Sequence, residues 1–337
     1  MSKPSGQTLL LGAVIVGSCL LAGYLALLYD RPNNDAAEPN VSKLALKDIP
    51  FDGAKAYEYL KKICQLGPRV SGTPGMDKQQ ELLTEHFKQL GGKVSRQEFD
   101  IRHPETGKPL TMTNLIVTWH PERQDRVLIC CHYDTRPFPD QDQRNKRGRF
   151  IGANDGASGA ALLMELGKEM PKLVSPVGVD FVLFDGEELI FDDKRDTYFI
   201  GSEYFAKKYA ADPPAHKYRW GVLLDMIGDA DLQIYQEKNS ATWTDTRPLV
   251  DEIWATAKKL GVREFISQKK YDLRDDHLPL HDIGKIPAID VIDFDYGPQT
   301  SHGGAYWHTM GDTPDHCSAL SLAKVGWVLS EWLKGQK

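Results

Sequence analysis

The 337-residue sequence has few cysteines and no long run of basic residues. Its five cysteines contain no CxxC pair, which argues against a zinc finger and against a disulfide-rich miniprotein. Lysine and arginine number 41 against 47 acidic residues, so the net charge of -6 gives no reason to expect nucleic acid as a partner. Internal repeats are also absent. With 41% hydrophobic and 26% charged residues, the chain is long enough for one large or two average domains.

One long hydrophobic run does occur, near the amino end. Residues 9–29 (LLLGAVIVGSCLLAGYLALLY) carry no charge, and as a helix they reach about 31 Å, enough to span the hydrocarbon core of a bilayer. No small-x-small cleavage site follows, which favours a retained anchor over a cleaved signal peptide. We therefore expect a membrane anchor over residues 1–29, a polar linker over residues 30–43, and a body exported to the periplasm, a lumen or the extracellular space.

Downstream of the linker, short apolar runs alternate with stretches of helical periodicity. Strands are predicted over residues 114–118, 127–131, 179–184, 221–224 and 288–292, and helices over residues 54–66, 77–90, 160–170, 202–209, 249–260 and 320–333. Strands that are apolar on both faces and alternate with helices indicate a largely parallel sheet covered by helices. The sequence thus predicts one α/β domain over residues 44–337, with a mostly parallel, mixed central sheet in a three-layer α/β/α arrangement.

Several predicted strands end in histidine or carboxylate residues, at the edge where such sheets bind ligands. The positions at strand ends and at one helix start are His132 with Asp134, Glu187 with Glu188, Asp225, Asp155 and His308. A single acidic residue there is usually a helix cap or a solvated side chain, but five converging positions are hard to explain that way. Imidazole and carboxylate without thiolate are the ligand set of a hydrolytic zinc or related divalent site.

The set contains two pairs, and in each pair one residue can bind metal while the other assists it. His132 and Asp134 are two apart on an extended stretch, so Asp134 is placed to hold the imidazole nitrogen that does not bind metal. Glu187 and Glu188 are adjacent, so their side chains diverge, and one can bind metal while the other moves a proton. The residues alone leave open which glutamate takes which role.

The motifs around these residues resemble one known family. CHYDT, GANDGASG, FDGEE, LLDMIG and WHTMGDT, in this order, are similar to the M28 family of zinc aminopeptidases and of the glutaminyl cyclases that share their fold. The resemblance covers residues 54–334 and implies an α/β/α fold with a zinc site. By position it implies Glu187 as the catalytic glutamate. The resemblance also implies two sets of metal ligands. Asp155, Glu188 and His308 would bind one zinc ion. His132 and Asp225 would be the added ligands of a second metal, and Asp155 would bridge the two metals.

Three features favour the cyclase branch. A twelve-residue insert, residues 189–200, separates the glutamate pair from Gly-Ser, similar to cyclases. The segment DDHLPL resembles the DDH-I/L-P of cyclases, which implies that Asp275 is catalytic and shares a hydrogen-bond network with Asp225. Trp307 directly precedes His308, as in cyclases, and would give an indole wall for a small amide side chain.

Other features favour an aminopeptidase. The insert lacks the tryptophan that cyclases carry there, GANDGASG and GPRVSGTPG have the aminopeptidase form, and residues 293–306 look longer than the cyclase pattern. We predict a cyclase that converts the N-terminal Gln of peptides to pyroglutamate, with one zinc. The alternative is an M28 aminopeptidase or exopeptidase with up to two metals. A non-catalytic ectodomain is a third alternative. It is weaker than the other two because every ligand position and Glu187 are present.

Overall fold

The structure, a computed structural model, describes residues 41–298 and 302–337. The predicted membrane segment, residues 9–29, lies outside the described residues. Within the described part of the chain, no helix is long and apolar enough to cross a membrane.

Helices and strands alternate along most of the described chain. In order, they are α1 (Gly53–Cys64), α2 (Pro74–Gln89), β1 (Lys93–Arg102), β2 (Pro109–Trp119), β3 (Asp125–His132), α3 (Ala157–Leu166), β4 (Gly178–Phe184), α4 (Ile200–Ala211), β5 (Lys217–Asp225), β6 (Ile234–Gln236), α5 (Arg247–Leu260), β7 (Phe265–Lys269), α6 (His277–Asp282), β8 (Ala288–Ile292) and α7 (Ala319–Gly335).

Six of these strands form one mixed sheet in the order β1-β2-β4-β3-β5-β8. The β1–β2 and β2–β4 pairs are antiparallel, whereas β4, β3, β5 and β8 run parallel to one another. Because these four parallel strands end at the same edge of the sheet, the residues that follow them are brought together there. The short strands β6 and β7 form a separate parallel pair.

The two faces of the sheet are both buried, and alternate residues of β3 show how. Val127 and Ile129 belong to the large core that also contains side chains of α1, α2, α3, α5 and α7. Leu128 and Cys130 belong to a smaller core with Phe205 of α4 and with α6. Helices on both faces of a mostly parallel sheet confirm the predicted three-layer α/β arrangement.

The buried elements match the predicted ones to within a few residues, and the differences lie in exposed or very short elements. Strand β8 was predicted with its observed bounds, whereas β1, β6, β7 and α6 were not predicted. Only Phe99 of β1 is buried, so this edge strand shows no apolar run. Strand β6 has three residues and α6 has six, which is too short for a periodic pattern.

Candidate metal centre and active-site cavity

The five strand-end and helix-start positions predicted from the sequence do converge. His132 is the last residue of β3, Asp225 is the last of β5, and the glutamate pair begins three residues after the end of β4. Asp155 precedes α3, and His308 lies in the segment after β8. All of these positions except His308 lie at or within a few residues of the end of a buried element, which explains how residues far apart in sequence share one site.

Asp155 lies at the centre of the cluster, and its two oxygens face different histidines. Oδ1 is 3.2 Å from His132 Nε2, and Oδ2 is 3.5 Å from His308 Nε2. His132 Nε2 is also 3.2 Å from Asp225 Oδ1, while His308 Nε2 is 3.4 Å from Glu188 Oε2. The ligands predicted for two metals thus form two groups that share Asp155.

The cluster fits a divalent cation. Ligand atoms of His132, Asp155 and Glu188 all lie within 4.8 Å of one another, and all three residues are buried. Asp155 Oδ2 is buried and has no hydrogen-bond partner among the described residues, which is costly unless a cation or water contacts it. Nitrogen and carboxylate oxygen donors without thiolate suit zinc. This trio therefore fits a zinc ion, and it combines Asp155 and Glu188 of the first ligand set that the resemblance implies with His132 of the second set.

The acidic residues of the cluster repel one another. Burial and the neighbouring Asp155 raise the pKa of Glu188 to about 7. Burial also raises the pKa of Glu187 well above its usual range. A bound dication would offset this excess of buried negative charge.

Glu187 lies beside the ligands and is accessible from the cavity. Its Oε2 is 3.9 Å from His132 Nδ1, and 13% of its side chain is exposed, against 1% for Glu188. The two adjacent glutamates thus diverge as predicted, with Glu188 turned toward His308 and Glu187 open to a substrate.

Asp134 contacts more than the single histidine that the sequence suggested. Its Oδ1 is 3.5 Å from His132 Nδ1, a long separation for a hydrogen bond. Its shorter contacts are to backbone: the N–H groups of Glu187 and Glu188 donate to its two oxygens at 3.1 and 3.2 Å. Asp134 therefore fixes the turn that carries the glutamate pair, a role that the sequence did not indicate.

The ligands are positioned by three further residues that were not identified from the sequence. Asp140 Oδ1 lies 3.4 Å from His308 Nδ1, on the side of the ring away from Asp155. The backbone N–H of Arg136 donates to Glu188 Oε1 at 2.7 Å. Asp312 accepts the backbone N–H groups of Asn154 and Asp155 at 2.8 and 3.2 Å. Asp312 lies within the WHTMGDT motif, so the sequence could have drawn attention to this residue. The sequence could not have shown which groups it contacts.

The cluster forms the floor of a cavity of about 330 Å³. One wall is aromatic: Trp307 stacks on His308 at 3.9 Å between ring centroids, and Phe294 meets Trp307 edge-on at 5.3 Å. Tyr198 and Phe199 of the insert line the cavity as well. The predicted position of Trp307 at the site is thereby observed.

The insert, residues 189–200, returns to the glutamate pair. The N–H of Phe199 donates to the Glu187 carbonyl at 3.0 Å, so the insert begins and ends beside Glu187. Phe199, Met226 and His308 all have positive φ, at 60°, 46° and 53°. Such backbone strain in non-glycine residues concentrates at functional sites, and these three residues all line the cavity.

Asp275 lines the same cavity as Asp225 and Glu187. Burial, followed by the neighbouring Asp225, raises the pKa of Asp275 well above its usual range. Its Oδ1 accepts the N–H of Asp276 at 2.6 Å, and the Asp276 carboxylate accepts the Ser202 hydroxyl at 2.5 Å. A direct hydrogen bond between Asp275 and Asp225 stays a prediction.

The chain is similar to known members of one enzyme family. The sequence model of Peptidase family M28 matches residues 114–333. The crystal structure of Fimbriiglobus ruber glutaminyl cyclase superposes with a TM-score of 0.80 at 43% identity, covering 86% of this chain and 96% of that one. A leucine aminopeptidase precursor from Bacteroides thetaiotaomicron superposes with a TM-score of 0.77 at 29% identity, covering 85% and 98%. A curated glutaminyl-peptide cyclotransferase from Drosophila melanogaster is 25% identical over 281 residues, which cover 77% of this chain and 75% of the relative.

Proposed function

Because the chain belongs to peptidase family M28, we propose that it is a zinc-dependent glutaminyl-peptide cyclotransferase. It converts the N-terminal glutamine of peptides to pyroglutamate and releases ammonia. The observation that carries this proposal is the position of Asp275, the first residue of the cyclase-like DDHLPL segment, in the same cavity as Glu187 and Asp225. The 43% identity with the Fimbriiglobus ruber glutaminyl cyclase supports the same reaction.

We propose that Asp155, Glu188 and His308 hold one zinc ion. When bound there, zinc supplies a Lewis acid that polarises the γ-carboxamide of the substrate and stabilises the developing negative charge on its oxygen. Asp140 and Arg136 keep His308 and Glu188 in place through the contacts described above.

The protein's own side chains bind the substrate amine and move the proton. The amine enters among the carboxylates of Glu187, Asp225 and Asp275, and its nitrogen attacks the γ-carbonyl carbon. A C–N bond of the lactam forms and the bond to the amide nitrogen breaks. Glu187 accepts the proton that the attacking nitrogen loses and delivers it to the departing nitrogen, which leaves as ammonia.

The aromatic walls exclude water and orient the glutamine side chain. Trp307 covers one side of the metal ligands, and its stacking on His308 holds it there. The insert contains no tryptophan, so we assign the opposite wall to Tyr198 and Phe199, which line the cavity. These smaller rings would give a wider opening than an indole.

An M28 aminopeptidase is the second candidate, and one observation favours it. The two oxygens of Asp155 face separate histidines, as a carboxylate bridging two metals would. His132 and Asp225 would be the additional ligands of a second metal, and two metals would supply an activated water for peptide hydrolysis.

A single assay separates these candidates. The full-length, zinc-loaded protein in detergent is incubated with a short peptide that begins Gln-Phe, and the products are identified by mass spectrometry. We expect loss of ammonia from an otherwise intact peptide, faster than the spontaneous reaction. Release of free glutamine would instead identify an aminopeptidase. A zinc titration with no binding at micromolar concentration would favour the non-catalytic alternative.

Asp275 gives the sharper mutational test. We expect Asp275→Ala to lower cyclisation by roughly 10²-fold or more, because it removes a carboxyl that faces the substrate amine. Asp272→Ala, a change at an exposed aspartate three residues earlier, is the matched control. Unchanged cyclase turnover in Asp275→Ala would remove the main structural reason for preferring a cyclase.

The domain organisation and location of the protein belong to the same proposal. We propose that residues 1–29 anchor the chain in a lipid bilayer, residues 30–43 form a linker, and residues 44–337 form the catalytic domain outside the cytoplasm. Protease treatment of intact cells or spheroplasts would test this orientation: digestion of the body is expected, and its protection would contradict it.

A further inference from the structure

A second cavity, of about 350 Å³, adjoins the active-site cavity. Arg136 and Asp193 line both cavities and form the partition between them. Arg136 Nη2 donates to Asp193 Oδ1 at 2.7 Å and to the Tyr198 hydroxyl oxygen at 3.1 Å, so the partition is held firmly. Because the Asp193 side chain is 54% exposed, the partition reaches the surface, and an extended chain could cross it.

The two cavities have opposite charge. Carboxylates of Glu187, Asp225 and Asp275 line the first cavity, where the substrate amine would bind. The second cavity is lined by the exposed cations Lys146, Arg147 and Lys194.

The three cations are not engaged by carboxylates of the described residues. None of them makes an ion pair within residues 41–298 and 302–337. Two acidic residues at this cavity, Asp140 and Asp193, are already paired with Arg136. The remaining one, Asp192, accepts the backbone N–H of Lys194. With Arg136 included, four cationic side chains line the second cavity against three carboxylates, an excess of one positive charge.

The second cavity also has apolar walls. Phe138 and Phe191 meet edge-on at 6.0 Å between centroids, and the Arg147 guanidinium lies 4.5 Å from the centre of the Phe138 ring. Phe191 and Lys194 come from the insert, whereas Phe138, Lys146 and Arg147 come from the segment that follows β3. Aromatic walls beside unpaired cations suit an extended peptide segment that carries carboxylates.

We propose that the second cavity binds acidic side chains of the substrate peptide downstream of its N-terminal glutamine, through Lys146, Arg147 and Lys194. This inference rests on the proposed function, since it takes the first cavity as the site of the peptide N-terminus. A peptide with an ammonium group at its start and carboxylates a few residues later matches the charge of the two cavities in order. The enzyme is then selective for Gln-initiated peptides with acidic residues near the amino end.

The experiment compares peptide pairs that differ only in charge. The zinc-loaded full-length protein is given peptides that begin Gln-Phe and carry either Asp or the isosteric Asn at the third, fourth or fifth position. We expect kcat/KM for the Asp peptide to exceed that for the Asn peptide by roughly three- to tenfold at low salt, mainly through KM, and the ratio to shrink as salt is added.

Charge-neutralising variants locate the effect. In Lys146→Gln/Arg147→Gln, the ratio is expected to fall to about one. A matched control, Lys172→Gln/Lys217→Gln, removes two exposed cations near the amino ends of β4 and β5, the opposite edge of the sheet, and should keep the ratio. A ratio near one in the unmodified protein, or one that survives in Lys146→Gln/Arg147→Gln, would overturn the proposal. Arg274 is an exposed cation that lines the first cavity. Loss of the ratio only in Arg274→Gln would place the downstream peptide on that side and overturn the proposal too.

The short substrate Gln-Phe-amide, which lacks the downstream residues, distinguishes failure of the proposed function from failure of the second-cavity proposal. If this substrate loses no ammonia but releases glutamine, the Asp-to-Asn ratio is read from hydrolysis instead. If neither reaction occurs, the same ratio is measured as binding of fluorescently labelled peptides. Each of these readings supports or contradicts the second cavity independently of the reaction.

Discussion

Strands β3 and β4 have a buried ionic cluster at each end, and the two clusters differ in whether their charges balance. Near the start of the strands, Arg126 and Asp180 form a bidentate pair at 2.8 and 2.9 Å, with both side chains at most 2% exposed. The other Arg126 donors reach backbone carbonyls, and the Tyr218 hydroxyl donates to Asp180 at 2.7 Å. This cluster is complete within the protein.

At the other end of the same strands, acidic residues outnumber their cationic partners. Asp155 has a buried oxygen without a hydrogen-bond partner among the described residues, and burial raises the pKa of Glu187. Burying an unpaired charge is costly, so this excess of buried carboxylates indicates that a bound cation, and not a side chain, balances them. Buried charge as such therefore does not mark the functional end of the sheet, whereas uncompensated charge does.

The largest effect is expected at the unbalanced end, from Glu187→Gln. This change keeps the shape of the side chain but removes the proton acceptor, so we expect kcat to fall by roughly 10²- to 10⁴-fold. Zinc content and the urea midpoint of unfolding should stay close to those of the unmodified protein, because Glu187 is placed beside the metal ligands and not among them. Steady-state kinetics, metal analysis and urea unfolding measure the three quantities.

Glu105→Gln, at an exposed position of the β1–β2 hairpin, is the control for the same chemical change. Normal turnover in Glu187→Gln would show that the proton moves through another group, and the division of labour between the two glutamates would be wrong.

The next largest effect is expected at the balanced end, and on stability alone. Arg126→Met leaves the buried Asp180 without its partner, which should cost about 3–5 kcal/mol in the free energy of unfolding. The kcat of the molecules that remain folded should be unchanged, because the pair lies near the opposite ends of the strands from the site. Urea unfolding and active-site-normalised kinetics test the two parts.

The double variant Arg126→Met/Asp180→Asn serves as the control, since it removes both charges and should recover part of the lost stability. A large loss of kcat in folded Arg126→Met, without loss of stability, would contradict the separation of the two clusters.

The sequence predicted the buried parts of this molecule better than the exposed ones. Apolar strands such as β8 were located because both faces are buried, and the residues that follow the parallel strands share one edge by geometry. The strand ends thereby bring His132, Glu188 and Asp225 together. Strand β1 was missed because tertiary pairing, and not an apolar pattern, makes it a strand.

The contacts that hold the ligands could not be predicted in the same way. Asp140 and Arg136 lie in an irregular segment after β3, where no periodicity relates sequence position to direction in space. The short contacts of Asp134 go to backbone N–H groups, which any sequence provides. Such contacts depend on the path of the loop, so a residue type and a spacing give no sign of them.

The smallest effect is expected from Asp312, which joins neither the ligands nor the substrate. Its carboxylate accepts N–H groups from Asn154 and Asp155 and the hydroxyl of Tyr296, so it fixes the turn that presents Asp155. Asp312→Asn puts an amide NH₂ where an acceptor is needed, and we expect zinc affinity to fall by roughly 10- to 100-fold. Because Asp312 does not touch the substrate, kcat at saturating zinc should recover to near the unmodified value.

Zinc titration against a chelator measures the affinity, and the exposed neighbour Asp315→Asn is the matched control. Unchanged zinc affinity would mean that Asp155 is held in place without Asp312. Loss of kcat that zinc cannot restore would mean that Asp312 acts in the reaction itself.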